Sequence, residues 1–240
     1  MKNLKILIII YFLLNISYCS AQLVNDVKVN EDTILDSKKW KSKIDINKNG
    51  NVAIVWSFEY NNIPGANIYC QLYNNKLYKK GNNFRVNSIA DSSINPDIAI
   101  SKNGNIGIVW NNYSGITHIY FRLFNNEGTA LTSDITINDT LSIGFPPYTA
   151  IISDGNNGFI IVFEYPPSSG GWDIYYQRLD SLGNKIGHNV NVSLIGSVYI
   201  TPIESGPKIA VRKDGSFIIT WQDHRPVAPT GDIYMQMFDK

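Results

Sequence analysis

The sequence is poor in the residues that most metal sites and nucleophilic enzymes require. Its 240 residues include two cysteines and three histidines. The histidines (His118, His188 and His224) stand apart, and none has a second metal-binding residue at ligand spacing. Motifs for phosphate loops, dinucleotide binding, nucleophile elbows and zinc helices are also missing. The sequence therefore predicts no cofactor, no metal site and no catalytic residue that a motif identifies.

Charge of one sign is not in excess either. The chain has 21 Lys and Arg against 20 Asp and Glu, a formal net charge of +1. A near-neutral chain has no general attraction for the phosphates of nucleic acid, so we expect no nucleic-acid partner. The one basic cluster consists of four lysines around Trp40, namely Lys38, Lys39, Lys41 and Lys43. We interpret this cluster as a solvated loop.

A long apolar run occurs at the N-terminus, where Ile6 to Leu14 follows Lys2 and Lys5. The run is shorter than the ~20 residues that span a bilayer. A positive start followed by a short apolar run is typical of a signal peptide, which we place at residues 1–21. No later run is long enough to anchor the chain. We therefore expect a secreted or cell-surface protein without an integral membrane segment in its mature part.

Small residues mark the cleavage site of this signal peptide. Ser20 and Ala21 suit cleavage after Ala21, which makes Gln22 the first residue of the mature chain. A lipoprotein alternative would place a lipid on Cys19. The bulky Tyr18 stands where a lipoprotein signal has a small residue, so we favour the unlipidated form.

Four internal repeats are the main feature of the mature sequence. Each begins with an apolar segment that ends in an aromatic residue, and these aromatic residues recur about every 55 residues. The segments are KIDINKNGNVAIVW to Trp56, DIAISKNGNIGIVW to Trp110, TAIISDGNNGFIIVF to Phe163 and KIAVRKDGSFIITW to Trp221. A second block with Ile-Tyr at its second and third positions follows in every repeat. A third block follows in three repeats (NNFRVN, SDITIN and HNVNVS), and NDVKVN stands ahead of the first.

Each repeat is predicted to form four short antiparallel strands. Asn-Gly or Asp-Gly pairs, such as Asn49-Gly50, are typical of the tight turn between the first two strands. Both faces of the strands are apolar, as Tyr120 and Phe121 illustrate on one strand. Burial on both faces indicates sheets stacked against neighbouring sheets. Four strands in each repeat of this length are the signature of a β-propeller.

The predicted fold is an all-β, β-propeller-like array of four four-stranded antiparallel blades within residues 22–240. The repeats lie at approximately 43–96, 97–147, 148–207 and 208–240, and a strand at 23–30 completes the last. The array is either closed by this N-terminal strand or a piece of a larger ring. A β-sandwich is the alternative, but it explains the strands without explaining the repeat.

Cys70 is the one cysteine left after signal cleavage. Its equivalents in the other repeats are apolar or aromatic, namely Phe121, Tyr176 and Met235. A cysteine in such a position behaves as a small hydrophobic residue. Cys70 is therefore predicted to be a buried, unpaired thiol.

The repeat pattern resembles repeats of large secreted bacterial proteins. It reads P-x-I-A-[IV]-x-x-[ND]-G-x-[FI]-x-[IV]-x-W, followed by D-I-Y-x-Q and then V-N. The resemblance covers nearly all of the mature chain and implies a propeller-type surface protein associated with type IX secretion. The family's Trp-x-Asp-x-Arg is kept in the fourth repeat, as Trp221, Asp223 and Arg225, but not in the first three. No C-terminal sorting domain is visible, which leaves the secretion route open.

A pair of carboxylates for glycoside hydrolysis cannot be recognised from the sequence, because the two residues come together only in the folded chain. Four carboxylates stand near predicted loops: Glu59, Glu164, Asp173 and Asp223. We interpret them first as turn and cap residues.

Two functional hypotheses follow from the architecture. The first is a non-catalytic binding or adhesion module that presents loops to an extracellular glycan or protein. The alternative is a polysaccharide-processing enzyme, a glycosidase or lyase, on the same fold. Carboxylates that converge in a central pocket would favour the enzyme.

The predicted binding face carries the loops between second and third strands and between successive repeats. These loops are longer and more varied than those at the other end, as binding loops on a rigid scaffold are. Aromatic and arginine side chains are common anchors of binding sites. The candidate ligand-binding residues are Tyr60, Tyr113, Tyr165, Trp172, Asp223, His224 and Arg225.

Overall fold

The structure is a computed structural model. It describes residues 25–31, 37–60, 65–89, 92–113, 115–140, 142–143, 147–165, 173–193, 206–223 and 231–240. The predicted signal peptide lies outside these ranges, so its cleavage stays a prediction. Within the ranges, no helix has the length and apolar character needed to cross a membrane.

The described chain forms four antiparallel sheets whose strands follow sequence order. The first contains β1 (Ser37–Ile46), β2 (Val52–Tyr60), β3 (Ala66–Tyr73) and β4 (Phe84–Arg85). The second contains β5 (Ser93–Ile100), β6 (Ile106–Tyr113), β7 (Ile116–Phe124) and β8 (Ile135–Thr136), and the short β9 (Ser142–Ile143) also pairs with β7. The third contains β10 (Thr149–Ser153), β11 (Phe159–Tyr165), β12 (Asp173–Leu179) and β13 (Lys185–Asn191). The fourth contains β14 (Lys208–Val211), β15 (Phe217–Asp223) and β16 (Asp232–Phe238).

These sheets are the four blades of a propeller-type array, which confirms the predicted fold class. The first strands of successive blades (β1, β5, β10 and β14) contact one another in order, as the innermost strands of propeller blades do. The fourth blade has three strands among the described residues, where the repeat predicts four.

Tight turns join the first two strands of each blade, as their sequences predict. Gly50, Gly104 and Gly215 adopt positive φ angles of 82°, 91° and 88° in these turns. Glycine accepts this left-handed conformation without steric cost, which fixes the turn and the register of both strands.

Three apolar layers hold the blades together, one at each junction. The layer between the first and second blades contains Val55, Cys70 and Val86 from one side and Ile108 and Trp110 from the other. The layers at the next two junctions contain the equivalent residues of the following blades. Burial of both faces explains why the strands show no simple alternation of polar and apolar residues.

The fourth strand of a blade is attached by a repeated pair of hydrogen bonds. In the first blade, the Val86 N–H donates to the Ile68 carbonyl at 2.7 Å, and the Ile68 N–H donates to Asn87 Oδ1 at 2.8 Å. The second and third blades repeat this arrangement at Ile119, Ile137 and Asn138, and at Ile174, Val192 and Ser193. The Val-Asn block of the sequence is thus the attachment point of the outer strand.

Cys70 is an unpaired cysteine and fully buried, which confirms its predicted environment. The interpretation of the lysine cluster as a loop is wrong, because Lys38, Lys39, Lys41 and Lys43 lie within β1. A bulge between Trp40 and Lys43 breaks the apolar alternation that would have identified this strand.

The N-terminal segment Asn25–Glu31 differs from its predicted role. It forms no strand. Glu31 pairs with Lys79 of the first blade at 3.1 Å. The expected pairing of residues 23–30 with the fourth blade is therefore not made by the residues that the structure describes.

Candidate active site at the centre of the array

The first strands of the four blades place one equivalent residue each near the same end of the array. These residues are Lys43, Asp97, Ala150 and Lys208, which pair in register with Val55, Val109, Val162 and Thr220 of the adjacent strands. Because the first strands lie side by side, the four positions form a row across the inner surface. Three of the four carry charge.

Asp97 is the acidic member of this row. Its Oδ2 accepts a hydrogen bond from the N–H of Ile151, on the first strand of the next blade, at 3.1 Å. Burial raises the pKa of the Asp97 carboxyl, while this hydrogen bond and the charges of Lys43 and Lys208 act against the rise. Asp97 therefore bridges two blades and lies within the electrostatic reach of both lysines.

A second set of equivalent residues lies on the second strands, two residues beyond the partners of this row. Its members are Ser57, Asn111, Glu164 and Gln222, which pair in register with Ile68, Ile119, Ile174 and Ile233. Three of these positions carry neutral side chains. The third blade alone has a carboxyl there.

Glu164 is almost completely buried, at 3% exposure, and its Oε1 has no hydrogen-bond partner among the described residues. Burial raises the pKa of Glu164 from 4.5 to about 7, against the opposing effects of a backbone hydrogen bond from Tyr148 and the charge of Lys208. A carboxyl of this kind is present in both protonation states near neutral pH.

Lys208 links the two carboxyls, because its charge lowers the pKa of both Asp97 and Glu164 against the larger effect of burial. The carboxyls of Asp97, in the second blade, and Glu164, in the third, are thus both within the electrostatic reach of Lys208 in the fourth blade. Perturbed carboxyls of this type are concentrated at functional sites.

Asn111 and Tyr148 complete the described surroundings of Glu164. The Asn111 side chain donates to the Pro147 carbonyl at 2.6 Å and accepts from Thr149 Oγ1 at 3.0 Å. The Glu164 N–H donates to the Tyr148 carbonyl at 3.1 Å. These bonds fix the segment that leads into β10, and they leave the Tyr148 side chain 45% exposed beside the carboxyl.

The predicted ligand-binding residues that the structure describes fall at the same end of the array. Tyr60, Tyr113, Tyr165 and Asp223 are the last residues of the second strands β2, β6, β11 and β15. Trp172, His224 and Arg225 lie outside the described residues, as does the side chain of Asp223.

The three described tyrosines differ in how much of the ring is exposed to solvent. The Tyr113 side chain is 42% exposed. Tyr60 is partly buried and packs edge-on against Phe58, with ring centroids 4.7 Å apart. Tyr165 is buried at 4% exposure and packs against Phe163 and Tyr175, so its ring offers little surface to a ligand.

Among the carboxylates considered from the sequence, Glu164 alone is brought into this cluster by the contacts described. Asp173 instead accepts a hydrogen bond from Asn191 at 3.1 Å and so joins adjacent strands. Asp97, Lys43 and Lys208 were missed. Their signal was a charged residue at one equivalent position of the first strand in three of the four repeats.

Stacked blades around a charged centre define a β-propeller-type protein. No family model matches the sequence, and no curated protein matches it. The structure is similar to a protein of unknown function from Dyadobacter fermentans, with a TM-score of 0.57, 10% identity, and coverage of 85% of this chain and 66% of that one.

Two enzymes are also similar in structure. The GH93 α-L-arabinofuranosidase of Fusarium graminearum has a TM-score of 0.53 at 11% identity, over 86% of this chain and 65% of that one. The α-L-arabinanase of Penicillium chrysogenum has a TM-score of 0.51 at 12% identity, over 85% of this chain and 58% of that one. The chain spans less than two thirds of the length of each of these three structures, and similarity at this level of identity shows the fold.

Proposed function

We propose that the protein is a polysaccharide-processing enzyme of the glycosidase type, with Glu164 as its proton donor. The observation that carries this proposal is a buried carboxyl with a pKa of about 7, one oxygen of which has no described partner. Glycosidases need an acid that is still protonated near the working pH, and burial is the usual means of providing one.

Asp97 is the second carboxyl of the proposed reaction. Glu164 donates its proton to the glycosidic oxygen as the bond between that oxygen and the anomeric carbon breaks. Asp97 acts on the anomeric carbon, either directly as a nucleophile or by taking a proton from the attacking water. Burial raises the pKa of Asp97, and the charges of Lys43 and Lys208 oppose that rise and so act toward the ionised form that this role requires.

The structural similarities support the substrate class of this proposal. Two propeller-fold relatives act on arabinose-containing glycans, as their names state. Because they share only the fold with this chain, they support a carbohydrate substrate without identifying the sugar.

A binding or adhesion module remains the second candidate, favoured by the exposed rings of Tyr113 and Tyr148 at the same end of the array. Aromatic rings of this kind can stack on sugars without any chemistry. The two functions differ in whether bound glycan is cleaved.

One experiment separates them. The chain expressed from Gln22 is incubated with arabinan, a neutral glucan and a uronate-containing polysaccharide, and both binding and release of new sugar ends are measured. We expect cleavage of at least one polysaccharide by the wild type, and its loss in Glu164→Gln. Ser57→Ala, at the equivalent position of the first blade, serves as the matched control and keeps activity. Binding without cleavage by any of these proteins would support the adhesion module instead.

Export through a signal peptide is part of the same proposal, because an extracellular polysaccharide must be reached outside the cell. Intact mass of the exported protein tests it. A mass that begins at Gln22 is expected, whereas a lipid on Cys19 would show a lipoprotein. The type IX route, which rests on the resemblance of the repeats, is tested by export from a strain that lacks that system.

A further inference from the structure

The two ends of the array expose apolar faces. On the first blade, Ile44 and Ile46 of β1 are 65% and 60% exposed. On the fourth blade, Ile233, Met235 and Met237 of β16 are 77%, 74% and 60% exposed. We call these surfaces the first-blade end face and the fourth-blade end face.

Each end face is equivalent to one half of a buried junction inside the array. Ile44 and Ile46 are the counterparts of Ile98 and Ile100, which lie in the layer between the first and second blades. The residues of the fourth-blade end face are likewise the counterparts of Ile68, Cys70 and Leu72, which form the opposite half of that layer. The two end faces therefore have the chemistry and spacing of partners.

A cleft of about 470 Å³ lies on the first-blade end face, between β1 and the N-terminal segment. Ile54 and Trp56 line it on one side and Val29 on the other. Their counterparts at the first internal junction are Ile108, Trp110 and Val86, which pack around Cys70. The cleft thus stands where Cys70 stands in the internal junction, and Met235 is the fourth-blade counterpart of Cys70.

The N-terminal segment is already held as the outer strand of a preceding blade would be. The backbone N–H of Asn83 donates to Glu31 at 3.4 Å. At the next two junctions, Ser88 and Asp134 are bonded at 2.9 Å, and Asp139 and Asn189 at 2.7 Å. These residues occupy equivalent positions in the repeats, so Glu31 makes the contact of a blade junction although no blade precedes it in the described residues.

We propose that the fourth-blade end face of one chain binds the first-blade end face and the Asn25–Glu31 segment of a second copy, head to tail. Met235 of one copy enters the cleft of the other, and the segment becomes the fourth strand beside β16. The contact joins unlike faces, so further copies add in the same sense until a ring closes or a filament forms.

A second copy fits better than the chain's own N-terminus. Within one chain both end faces are exposed, so they do not cover each other. The segment is fixed to the first blade by Lys79 and Asn83. A second copy can reach the segment while these contacts are kept.

The register of the new strand pair follows from the repeats. The third and fourth strands pair Cys70 with Phe84 in the first blade, Phe121 with Ile135 in the second and Tyr176 with Val190 in the third. The equivalent pair at the proposed contact is Met235 with Val27. Directly opposed residues of an antiparallel pair have Cα atoms about 4.5–5.5 Å apart, which is within the range that a disulfide spans.

Cysteine cross-linking tests the proposal. Chains expressed from Gln22 are prepared as Val27→Cys and Met235→Cys, mixed and oxidised. We expect a disulfide-linked pair of chains that contains one of each variant. Lys240→Cys replaces Met235→Cys in the control, because it lies five residues further along the chain, about 17 Å in an extended strand, and should not cross-link.

Light scattering gives an independent readout. The wild type should show a mass above that of one chain that rises with concentration. Met235→Asp should remain at one chain at concentrations at least about tenfold higher, because a charge replaces a large apolar side chain at the contact. Leu182→Asp, at an apolar side chain 69% exposed in the turn between β12 and β13 of the third blade, should behave as the wild type. A chain that carries both Val27→Cys and Met235→Cys tests the alternative, and a disulfide formed only within that single chain would overturn the proposal. A wild-type mass of one chain at every concentration would also overturn it.

Discussion

Two aspartates make the same kind of bond at neighbouring junctions of the array. Asp45 accepts the N–H of Ile100 at 2.7 Å, and Asp97 accepts the N–H of Ile151 at 3.1 Å. Asp97 lies two residues nearer than Asp45 to the end of the array at which Glu164 lies. The charge of Lys208 therefore acts on the pKa of both Asp97 and Glu164. The same backbone hydrogen bond therefore joins adjacent blades at both junctions, whereas Asp97 alone of the two aspartates is affected by the lysine that also acts on Glu164.

The largest expected effect separates these two aspartates. Asp97→Asn keeps an oxygen that can accept the Ile151 N–H but removes the carboxylate. We expect it to lower the rate of polysaccharide cleavage at least about a hundredfold, as loss of a catalytic acid or base does. Asp45→Asn is the matched control and should leave the rate within about twofold. Equal losses in the two variants would mean that both aspartates act only on the scaffold.

The next effect concerns the apolar layers that make the junctions alike. Phe121 is fully buried between the second and third blades and packs against Phe159, with ring centroids 5.6 Å apart. Phe121→Ala should lower the free energy of unfolding by about 3–5 kcal/mol, through lost burial and a residual cavity. The control Leu131→Ala, at a side chain 50% exposed, should change it by less than about 0.5 kcal/mol. Denaturant unfolding measures both.

The pH dependence of the free energy of unfolding tests the protonation of Glu164. The pKa of Glu164 is about 7 in the folded protein, above its ordinary 4.5. The folded state therefore binds this proton more tightly than the unfolded state. The contribution of Glu164 to stability is full below pH 4.5, falls between 4.5 and 7, and is lost above 7. The fall amounts to about 3 kcal/mol.

Glu164→Gln removes this particular dependence. The difference in unfolding free energy between wild type and variant should therefore change across the window from pH 4.5 to 7 and stay constant above it. Ser57→Ala, at the equivalent position of the first blade, should follow the wild type at every pH. A parallel pair of curves for wild type and Glu164→Gln would contradict the raised pKa.

The smallest expected effect concerns Cys70. It is fully buried at the first junction, and burial raises the pKa of its thiol. Both properties suppress the reactive thiolate. We expect a thiol reagent to leave the native chain unlabelled for hours and to label it at once in denaturant. Rapid labelling of the native protein would show that the first junction opens, unlike an ordinary packed layer.

The sequence predicted the scaffold well because the scaffold is repeated. The turns between the first two strands and the Val-Asn attachment of the outer strand recur from blade to blade, so several copies of each signal agree. The register shift between Trp40 and Lys43 recurs between Ile94 and Asp97 of the second blade, but in β1 it lies within a lysine-rich segment, and that part of the strand was therefore missed. The burial of Tyr165 could not be read from its place beside a loop, because packing against Phe163 and Tyr175 decides it.

The candidate site was only partly predictable, for a related reason. Glu164 was noticed as a loop-end carboxylate, but its raised pKa depends on burial between blades, which no single segment reveals. Asp97 and Lys208 are more than a hundred positions apart in sequence. They come within electrostatic reach of each other only because the first strands lie side by side. A residue that departs from a repeated position was the available signal, and Glu164 is such a departure.

The protonation of Glu164 is the central claim, and a carboxyl titration measures it without any substrate. The chain is labelled with ¹³C at glutamate carboxyls, and the resonance that disappears in Glu164→Gln is followed from pH 4 to pH 9. We predict a midpoint near 7, set by burial beside Lys208. A midpoint near 4.5 would contradict the proposed proton donor, because the group would then be ionised throughout the neutral range.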